Sequence, residues 1–184
     1  MLLRNAGVDI LRDPAAVDEY AAKDTSRKRK ESASHVAETL AELKAQQVSL
    51  RRAGALVIGA DQMLQCGGAW FDKPSDLAHA RRHLIALRGK THELLSAVCV
   101  VRDGECLWRY LESAHLTMRS FSDGFIDEYL AATGDGVCTS VGAYQLENRG
   151  AQLFSRIEGN YFTILGLPLL PLLGFLVTHG VVTE

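Results

Sequence analysis

The sequence has no C-x-x-C cysteine pair, no long uninterrupted apolar run and no excess of basic charge. Its four cysteines lie far apart in the sequence, at Cys66, Cys99, Cys106 and Cys138. This spacing disfavours a zinc centre or a redox-active dithiol. Scattered cysteines that do not pair are typical of proteins in a reducing compartment. We therefore expect a cytoplasmic protein with reduced thiols.

Charge and hydropathy disfavour two further classes of protein. The chain has 20 basic and 22 acidic residues, for a net charge of −2, whereas binding to a nucleic acid polymer usually depends on an excess of basic residues. The most apolar stretch, residues 162–177, contains Pro168 and Pro171. It is also shorter than the ~20 residues that span a bilayer. We expect neither a nucleic acid polymer nor a membrane as a partner.

Helical patterns occur in several parts of the 184-residue chain. Apolar residues recur at helical spacing over residues 34–50, with Ser34 as the predicted N-cap, and a second helix is predicted from Ser75 to about Arg88. Its His79 and His83 are predicted to lie on an exposed face rather than to bind zinc. Residues 23–34 are polar and basic, which predicts an exposed loop.

Strand patterns predict the centre of the fold. Residues 55–64 are predicted to form a central strand, and residues 91–102 and 105–118 are two β-patterned runs. The Asp103-Gly104 pair between these runs is typical of a hairpin turn. Because helices and strands mix along the chain, we expect an α/β protein. Its mixed, twisted sheet should be flanked by helices in two lobes with a groove between them.

Two short segments carry the chemistry that the sequence suggests. V-I-G-A-D-Q (57–62) places Asp61 near the end of an apolar strand, and F-D-K-P (71–74) places Lys73 just before Pro74. A fixed acid with a fixed base suits a site that handles a metal-bound polyphosphate. Two simpler alternatives remain open, in which Asp61 caps a turn and Lys73 is an ordinary surface residue.

Several motifs occur in a specific order along nearly the whole chain. They are V-D-E (17–19), V-I-G-A-D-Q (57–62), D-K-P (72–74), L-R-G-K-T-H (87–92), V-G-A-Y (141–144), I-E-G-N-Y (157–161) and L-G-L-P (165–168). This ordered set resembles the Maf family of nucleoside triphosphate pyrophosphatases. It argues against other house-cleaning phosphohydrolases, such as an inosine triphosphatase.

The resemblance implies a single Maf-like domain over residues 1–184, with a nucleotide-binding groove between its lobes, in a fold related to inosine triphosphatases. It implies a hydrolase of nucleotide metabolism that converts a nucleoside triphosphate to the monophosphate and pyrophosphate. The implied cofactor is a divalent cation, Mg²⁺ or Mn²⁺. The implied role is removal of non-standard nucleotides, and a homodimer remains open.

The resemblance also implies the roles of individual residues. Asp61 would be the proton acceptor and a metal ligand, and Glu19 a second metal ligand. Lys44 and Lys73 would contact the phosphates of the substrate. A metal ion and lysines can neutralise the charge of the triphosphate, and a carboxylate can take a proton from the attacking water.

Two positions suggest which base the protein selects. Glu147 stands where the common family pattern has glutamine, and Gln62 rather than threonine follows Asp61. Both features resemble the branch that acts on 7-methyl-GTP rather than on dTTP or UTP. The carboxylate of Glu147 could accept two N–H groups of guanine and favour a positively charged 7-methylated ring. Gln145 and Glu147 are therefore predicted to bind substrate.

The start of the chain departs from the family pattern. Leu2-Leu3 and Gly7 match a family helix, but the S-x-S-x-R-R segment that normally precedes it does not appear. We expect either a start codon assigned too late or a truncated protein. The truncated form would be catalytically impaired, which leaves open a nucleotide-binding regulator linked to cell division or septum formation.

Overall fold

The computed structural model of the protein describes residues 2–183. In chain order the helices and strands are α1 (Leu2–Asn5), α2 (Glu19–Lys28), α3 (Ala33–Ser49), β1 (Val57–Cys66), β2 (Ala69–Phe71), α4 (Leu77–Leu87), β3 (Thr91–Arg102), β4 (Glu105–Met118), α5 (Asp123–Thr133), β5 (Phe154–Glu158), α6 (Tyr161–Ile164) and α7 (Leu169–Thr178). Three short 3₁₀ helices lie between α5 and β5, at Gly134–Thr139, Val141–Ala143 and Arg149–Leu153.

The strands form a five-stranded sheet in the order β2-β1-β3-β4-β5. The β1–β2 and β4–β5 pairs are antiparallel. Asp103 and Gly104 both have positive φ, 50° and 83°, as a tight primed turn between β3 and β4 requires. The predicted α/β class and this hairpin are confirmed. A mixed sheet was expected, but the sheet is antiparallel. Two-residue turns join β1 to β2 and β3 to β4, and only antiparallel neighbours can be joined in this way.

The chain divides into two compact units. Unit 1 takes in the chain up to Gln62, Leu95–Glu112 and the chain from Asn160 onward, and unit 2 consists of Met63–Leu94 and Ser113–Gly159. The assignment of residues 1–184 to a single domain stays a prediction, and so does the groove between two lobes. Met1 and Glu184 lie outside the described residues.

The core of unit 1 is built from α1, β3 and α7. Its buried members are Leu3, Val8, Val98, Val100, Leu169, Leu172, Phe175 and Leu176. Pro168 immediately precedes α7, where a residue without an N–H group costs the helix little. No helix in the described part of the chain combines the length and apolar character needed to cross a bilayer.

A close approach of α3 to β1 sets the local geometry of unit 1. Gly59 lies on β1 directly against α3, and a Cβ atom there would come within 2.2 Å of the Ala41 carbonyl oxygen. Ala41 and Ala45 on the helix are also small and almost fully buried. The approach brings the side chains that follow Ala41 on α3 close to those that follow Gly59 on β1.

The prediction of an exposed loop over residues 23–34 was wrong, because α2 covers its first half. Helix α2 has no apolar stripe, so its pattern is not that of a helix packed on a core. It is stabilised locally: Asp18 caps its first turn by accepting from Ala21 N at 2.9 Å, and Lys28 pairs with Asp24 at 2.6 Å. Basic side chains in its last turn also suit the helix dipole.

Smaller corrections concern helix starts and one histidine. The N-cap of α3 is Ser32 rather than Ser34, and that of α4 is Asp76 rather than Ser75. His83 on α4 was predicted to be exposed but is buried, with its ring 5.1 Å from that of Phe71 and 4.3 Å from that of His79.

Candidate active site

Asp61 is a buried carboxylate on β1. Alternate residues of the strand, including Gly59 and Asp61, are buried, which places Asp61 on the same face as the contact with α3. Its exposed fraction is 8%. Oδ1 accepts a hydrogen bond from Lys44 Nζ at 2.6 Å, whereas Oδ2 is buried without a hydrogen-bond partner among the described residues. A buried oxygen without a partner is costly, and it points to a functional role.

Lys44 connects Asp61 to a second predicted site residue. Its Nζ lies 2.6 Å from Asp61 Oδ1 and 2.7 Å from Glu19 Oε1. Lys44 comes from α3, and Glu19 is the first residue of α2, which Asp18 caps. Three residues that the sequence analysis assigned to the site therefore meet in unit 1.

Burial and charge act in opposite directions on this group. Burial raises the pKa of Asp61 above its usual value, although the nearby charges of Lys44 and Lys23 act to lower it. For Lys44, burial opposes the charged form, but the charges of Asp61 and Glu19 outweigh this effect and raise its pKa. Lys44 is thus held as a cation. A raised pKa makes Asp61 a better proton acceptor than an exposed aspartate.

Lys23 is a further charged residue near Asp61, and it was not predicted from the sequence. Lys23 is 9% exposed, and its positive charge acts to lower the pKa of Asp61. Lys23 and Glu19 are four residues apart on α2, so they share one face of the helix. The sequence did contain a signal for this arrangement: Glu19 and Lys23 are one helical turn apart and follow Asp18, which can cap a helix. It was overlooked because residues 23–34 were interpreted as a loop.

Gln62 has a different environment from Asp61, because successive side chains of a strand point to opposite faces. Its side-chain amide nitrogen donates to Ser96 Oγ at 2.9 Å and to the carbonyl oxygens of Thr163 and Ile164 at 3.0 and 3.1 Å. In unit 1 this side chain therefore holds α6 against the sheet. The role of Gln62 as a marker of substrate choice stays a prediction from the sequence.

The carboxylates of Asp61 and Glu19 fit a divalent cation. Both are hard oxygen donors, and Asp61 Oδ2 is free of hydrogen bonds to the described residues. Within residues 2–183 no group of three or more histidine, cysteine, aspartate or glutamate side chains could hold a metal ion. A set of two carboxylates nevertheless suits Mg²⁺, which is usually bound by one or two carboxylates together with substrate phosphates and water.

Lys73, which was predicted to contact phosphate, lies in unit 2. It is exposed and is followed by Pro74, which is buried. The segment that carries it is fixed at both ends. Phe71 packs edge-on against His83, and Asp76 caps α4 by accepting from His79 N at 2.7 Å.

Gln145 and Glu147 lie in one turn of unit 2. Asn148 N donates to the Gln145 carbonyl at 3.2 Å, which closes a β-turn with Glu147 at its third position. Glu147 is exposed. Gln145 instead lines a pocket of about 280 Å³ together with Tyr129, Ala132, Thr133, Gly136, Val137, Asn148, Arg149 and Gly150.

An α/β fold that pairs a buried carboxylate with a lysine, beside a second acid, has the groups expected of a hydrolase acting on phosphorylated substrates. The chain belongs to the Maf-like protein family, whose sequence profile matches residues 1–179.

Individual relatives in that family cover nearly the whole chain. The chain is 56% identical to a nucleoside triphosphate pyrophosphatase of Paramagnetospirillum magneticum, over 97% of this chain and 92% of that protein. It is 52% identical to a 7-methyl-GTP pyrophosphatase of Mesorhizobium japonicum, over 98% of this chain and 91% of that protein. A 7-methyl-GTP pyrophosphatase of Brucella abortus is 49% identical, over 94% of this chain and 86% of that protein.

Proposed function

We propose that this protein is a nucleoside triphosphate pyrophosphatase. It hydrolyses the bond between the α- and β-phosphates and releases a nucleoside monophosphate and pyrophosphate. The observation that carries the proposal is the Glu19–Lys44–Asp61 group, in which one ammonium bridges two carboxylates at 2.6 and 2.7 Å. The names of the relatives support the same activity.

Each residue of the group has a chemical role in this reaction. Asp61 accepts a proton from the attacking water, a role that its raised pKa favours. Lys44 is held as a cation beside Asp61, and it can donate to phosphate oxygens while keeping its charge. Lys23 adds a second positive charge near the carboxylate. Positive charge at this point stabilises the negative charge on the phosphate oxygens during attack on phosphorus.

Asp61 and Glu19 would hold the divalent cation, Mg²⁺ or Mn²⁺. When it is bound, the cation supplies charge neutralisation for the triphosphate and orients the leaving pyrophosphate. Lys73 is proposed to contact phosphate, as the D-K-P motif implies; it is an exposed lysine close to Phe71, which packs against His83.

For the base, we propose that 7-methyl-GTP is favoured over dTTP and UTP. Glu147 supports this preference because its carboxylate is exposed at the third position of a closed turn. It can accept two N–H groups of guanine and stabilise the positive charge of the methylated ring. The proposed cellular role is removal of non-standard nucleotides in the cytoplasm, which the four free cysteines suit.

The test is pyrophosphate release from 7-methyl-GTP, GTP, UTP and dTTP with Mg²⁺ or Mn²⁺. We expect turnover by the parent protein and a loss of at least about 100-fold for Asp61→Asn, the usual contribution of a positioned acid or base. Asp9→Asn is the matched control, since Asp9 is exposed outside the site. It should match the parent.

Equal rates for Asp61→Asn and the parent would contradict the role of Asp61. Faster hydrolysis of UTP than of 7-methyl-GTP would contradict the base preference. Binding of nucleotide without turnover by the parent would instead favour the nucleotide-binding regulator.

A further inference from the structure

The backbone just before the Gln145–Asn148 turn is strained. Gly142 has φ +77°, and the following Ala143 has φ +64°, in the left-handed region that non-glycine residues rarely adopt. A Cβ atom on Gly142 would lie 2.6 Å from a Leu64 methyl carbon. Strain of this kind persists only where the surroundings fix the backbone, and it is concentrated at functional sites.

Two buried side chains fix this backbone. The Tyr129 hydroxyl on α5 donates to the Ala143 carbonyl at 3.3 Å. Tyr144, which is 4% exposed, places its hydroxyl oxygen 2.7 Å from His92 Nε2 on β3. The ring of Tyr144 also packs edge-on against Phe154 at 4.8 Å. Two hydrogen bonds, one to Ala143 and one to Tyr144, therefore fix the backbone that leads into the turn.

His92 has no role in the chemistry proposed above, yet it is a buried polar residue. It is 1% exposed, and its Nδ1 has no hydrogen-bond partner among the described residues. Burial lowers the pKa of His92 to about 4, so the ring is neutral near pH 7. The bond to Tyr144 therefore joins two neutral buried groups, and removing either partner would leave the other unpaired.

Tyr144, which the hydrogen bond to His92 anchors, directly precedes the turn that carries Glu147. Asn148 Nδ2 donates to Gln145 Oε1 at 3.0 Å, and Gln145 Nε2 donates to Thr139 Oγ1 at 3.0 Å. Gly150 packs so closely that a Cβ atom there would lie 2.3 Å from the Gln145 carbonyl oxygen. Glu147 is thus exposed on a frame that is rigid within itself, and Tyr144 ties that frame to β3.

We propose that His92 is a positioning residue for base selection: its hydrogen bond to Tyr144 fixes the turn that presents Glu147 to the nucleobase. This inference rests on the proposed function. Discrimination between bases depends on a carboxylate held in place before the substrate binds. Loosening the anchor lets Glu147 sample other positions and lowers its preference for guanine over a pyrimidine.

The test measures the ratio of kcat/KM for 7-methyl-GTP to kcat/KM for UTP. Tyr144→Phe removes the hydroxyl and keeps the ring, while His92→Asn withdraws the group at Nε2. Each should lower the ratio by about tenfold. This change corresponds to ~1.4 kcal/mol, near the net value of one hydrogen bond. His92→Gln can place its amide nitrogen near the position of Nε2 and should restore most of the parental ratio.

The double variant Tyr144→Phe/His92→Asn separates positioning through one bond from two independent effects. Because both changes remove the same bond, its ratio should be close to that of either single variant. Tyr110→Phe is the matched control, since it removes the hydroxyl of an exposed tyrosine on β4. It should leave the ratio unchanged. If Tyr144→Phe fails to fold, Tyr129→Phe loosens the same backbone through Ala143 and should also change the ratio.

Two results would overturn the inference in distinguishable ways. If the parent is active but Tyr144→Phe and His92→Asn lower kcat/KM equally for both substrates, His92 has only a structural role. A variant that folds and keeps the parental ratio leads to the same conclusion. If the parent hydrolyses none of the nucleotides, the proposed function fails, and the positioning role fails with it.

Discussion

At the scale of single residues, the charge of Asp61 is stabilised mainly by Lys44 and to a smaller extent by Lys23. Asp61 is 8% exposed, one of its oxygens has no hydrogen-bond partner among the described residues, and the other accepts from Lys44. An unpaired buried charge costs far more than a paired one. Besides its proposed phosphate contact, Lys44 therefore favours the ionised form of the Asp61 carboxylate.

Replacing Lys44 should change the pH dependence of the reaction. In Lys44→Gln the burial of Asp61 remains while its closest positive charge is lost, so the pKa of Asp61 rises further. Asp61 must be deprotonated for its proposed role as proton acceptor, so the acidic limb of the kcat/KM profile should move to higher pH. The measurement is kcat/KM for the best substrate from pH 5 to 9.

Lys28→Gln is the matched control for this change. Lys28 also pairs with an aspartate at 2.6 Å, but the pair is exposed on α2, where such pairs contribute little. Its profile should overlay that of the parent. An acidic limb that stays in place in Lys44→Gln, or moves to lower pH, would contradict the proposed coupling.

At the scale of elements, the contact between α3 and β1 brings Lys44 to Asp61. The contact is possible because Gly59 has no Cβ atom where Ala41 and Ala45 approach the strand. Helix α2 then supplies Glu19 from its first turn. Small residues at one crossing thus determine a distance between charged groups on separate elements.

Gly59→Ala should destabilise unit 1 and impair the site. The added methyl group would lie 2.2 Å from the Ala41 carbonyl oxygen, so α3 must shift, at a cost of about 2 kcal/mol in the free energy of unfolding. The same shift displaces Lys44 from Asp61 and should lower kcat. Urea denaturation and pyrophosphate release measure the two effects.

Gly174→Ala on α7 provides the comparison for that glycine. A Cβ atom there meets nothing within 4 Å, and alanine within a helix is usually more stable than glycine by roughly 0.5–1 kcal/mol. We expect equal or higher stability with parental activity. Parental stability in Gly59→Ala would show that the α3–β1 contact is more adaptable than its geometry indicates.

At the scale of the whole molecule, two buried histidines affect how stability varies with pH. Burial lowers the pKa of both His83 and His92 to about 4. Each ring has an Nδ1 with no hydrogen-bond partner among the described residues. Both rings therefore stay neutral in the folded protein at pH values where an unfolded histidine takes up a proton.

Stability should fall as the pH decreases from about 6.5 towards 4. In this range the unfolded chain binds more protons than the folded protein, so protonation favours unfolding, by about 2 kcal/mol for His92 between pH 7 and 5. The raised pKa of Asp61 acts in the opposite direction. The share of His92 is measured as the difference between the parent and His92→Gln in urea denaturation across this range.

His92→Gln should lose less stability on acidification than the parent does. His35→Gln, which replaces an exposed histidine on α3, should keep the parental slope. A parental slope in His92→Gln would mean that His92 takes up its proton in the folded protein as readily as in the unfolded chain.

Much of the fold could be predicted from local patterns. The bounds of β3 and β4 match the predicted runs 91–102 and 105–118, because a long β-patterned run and an Asp-Gly turn act between neighbours in the sequence. Helix α4 ends at Leu87, next to its predicted end at about Arg88. Helix α2 was missed because it depends on a cap and an ion pair rather than on an apolar stripe.

The sequence by itself determined the family, the α/β class and the types of charged residue that the site contains. Only the tertiary structure decided that Lys44 lies between Asp61 and Glu19, that Lys23 reaches Asp61, and that His92 holds Tyr144. The motif placed Asp61 on a strand, but its partners come from other elements. Their distances depend on which side chains are small enough to let those elements meet, and that is a property of packing rather than of any one segment.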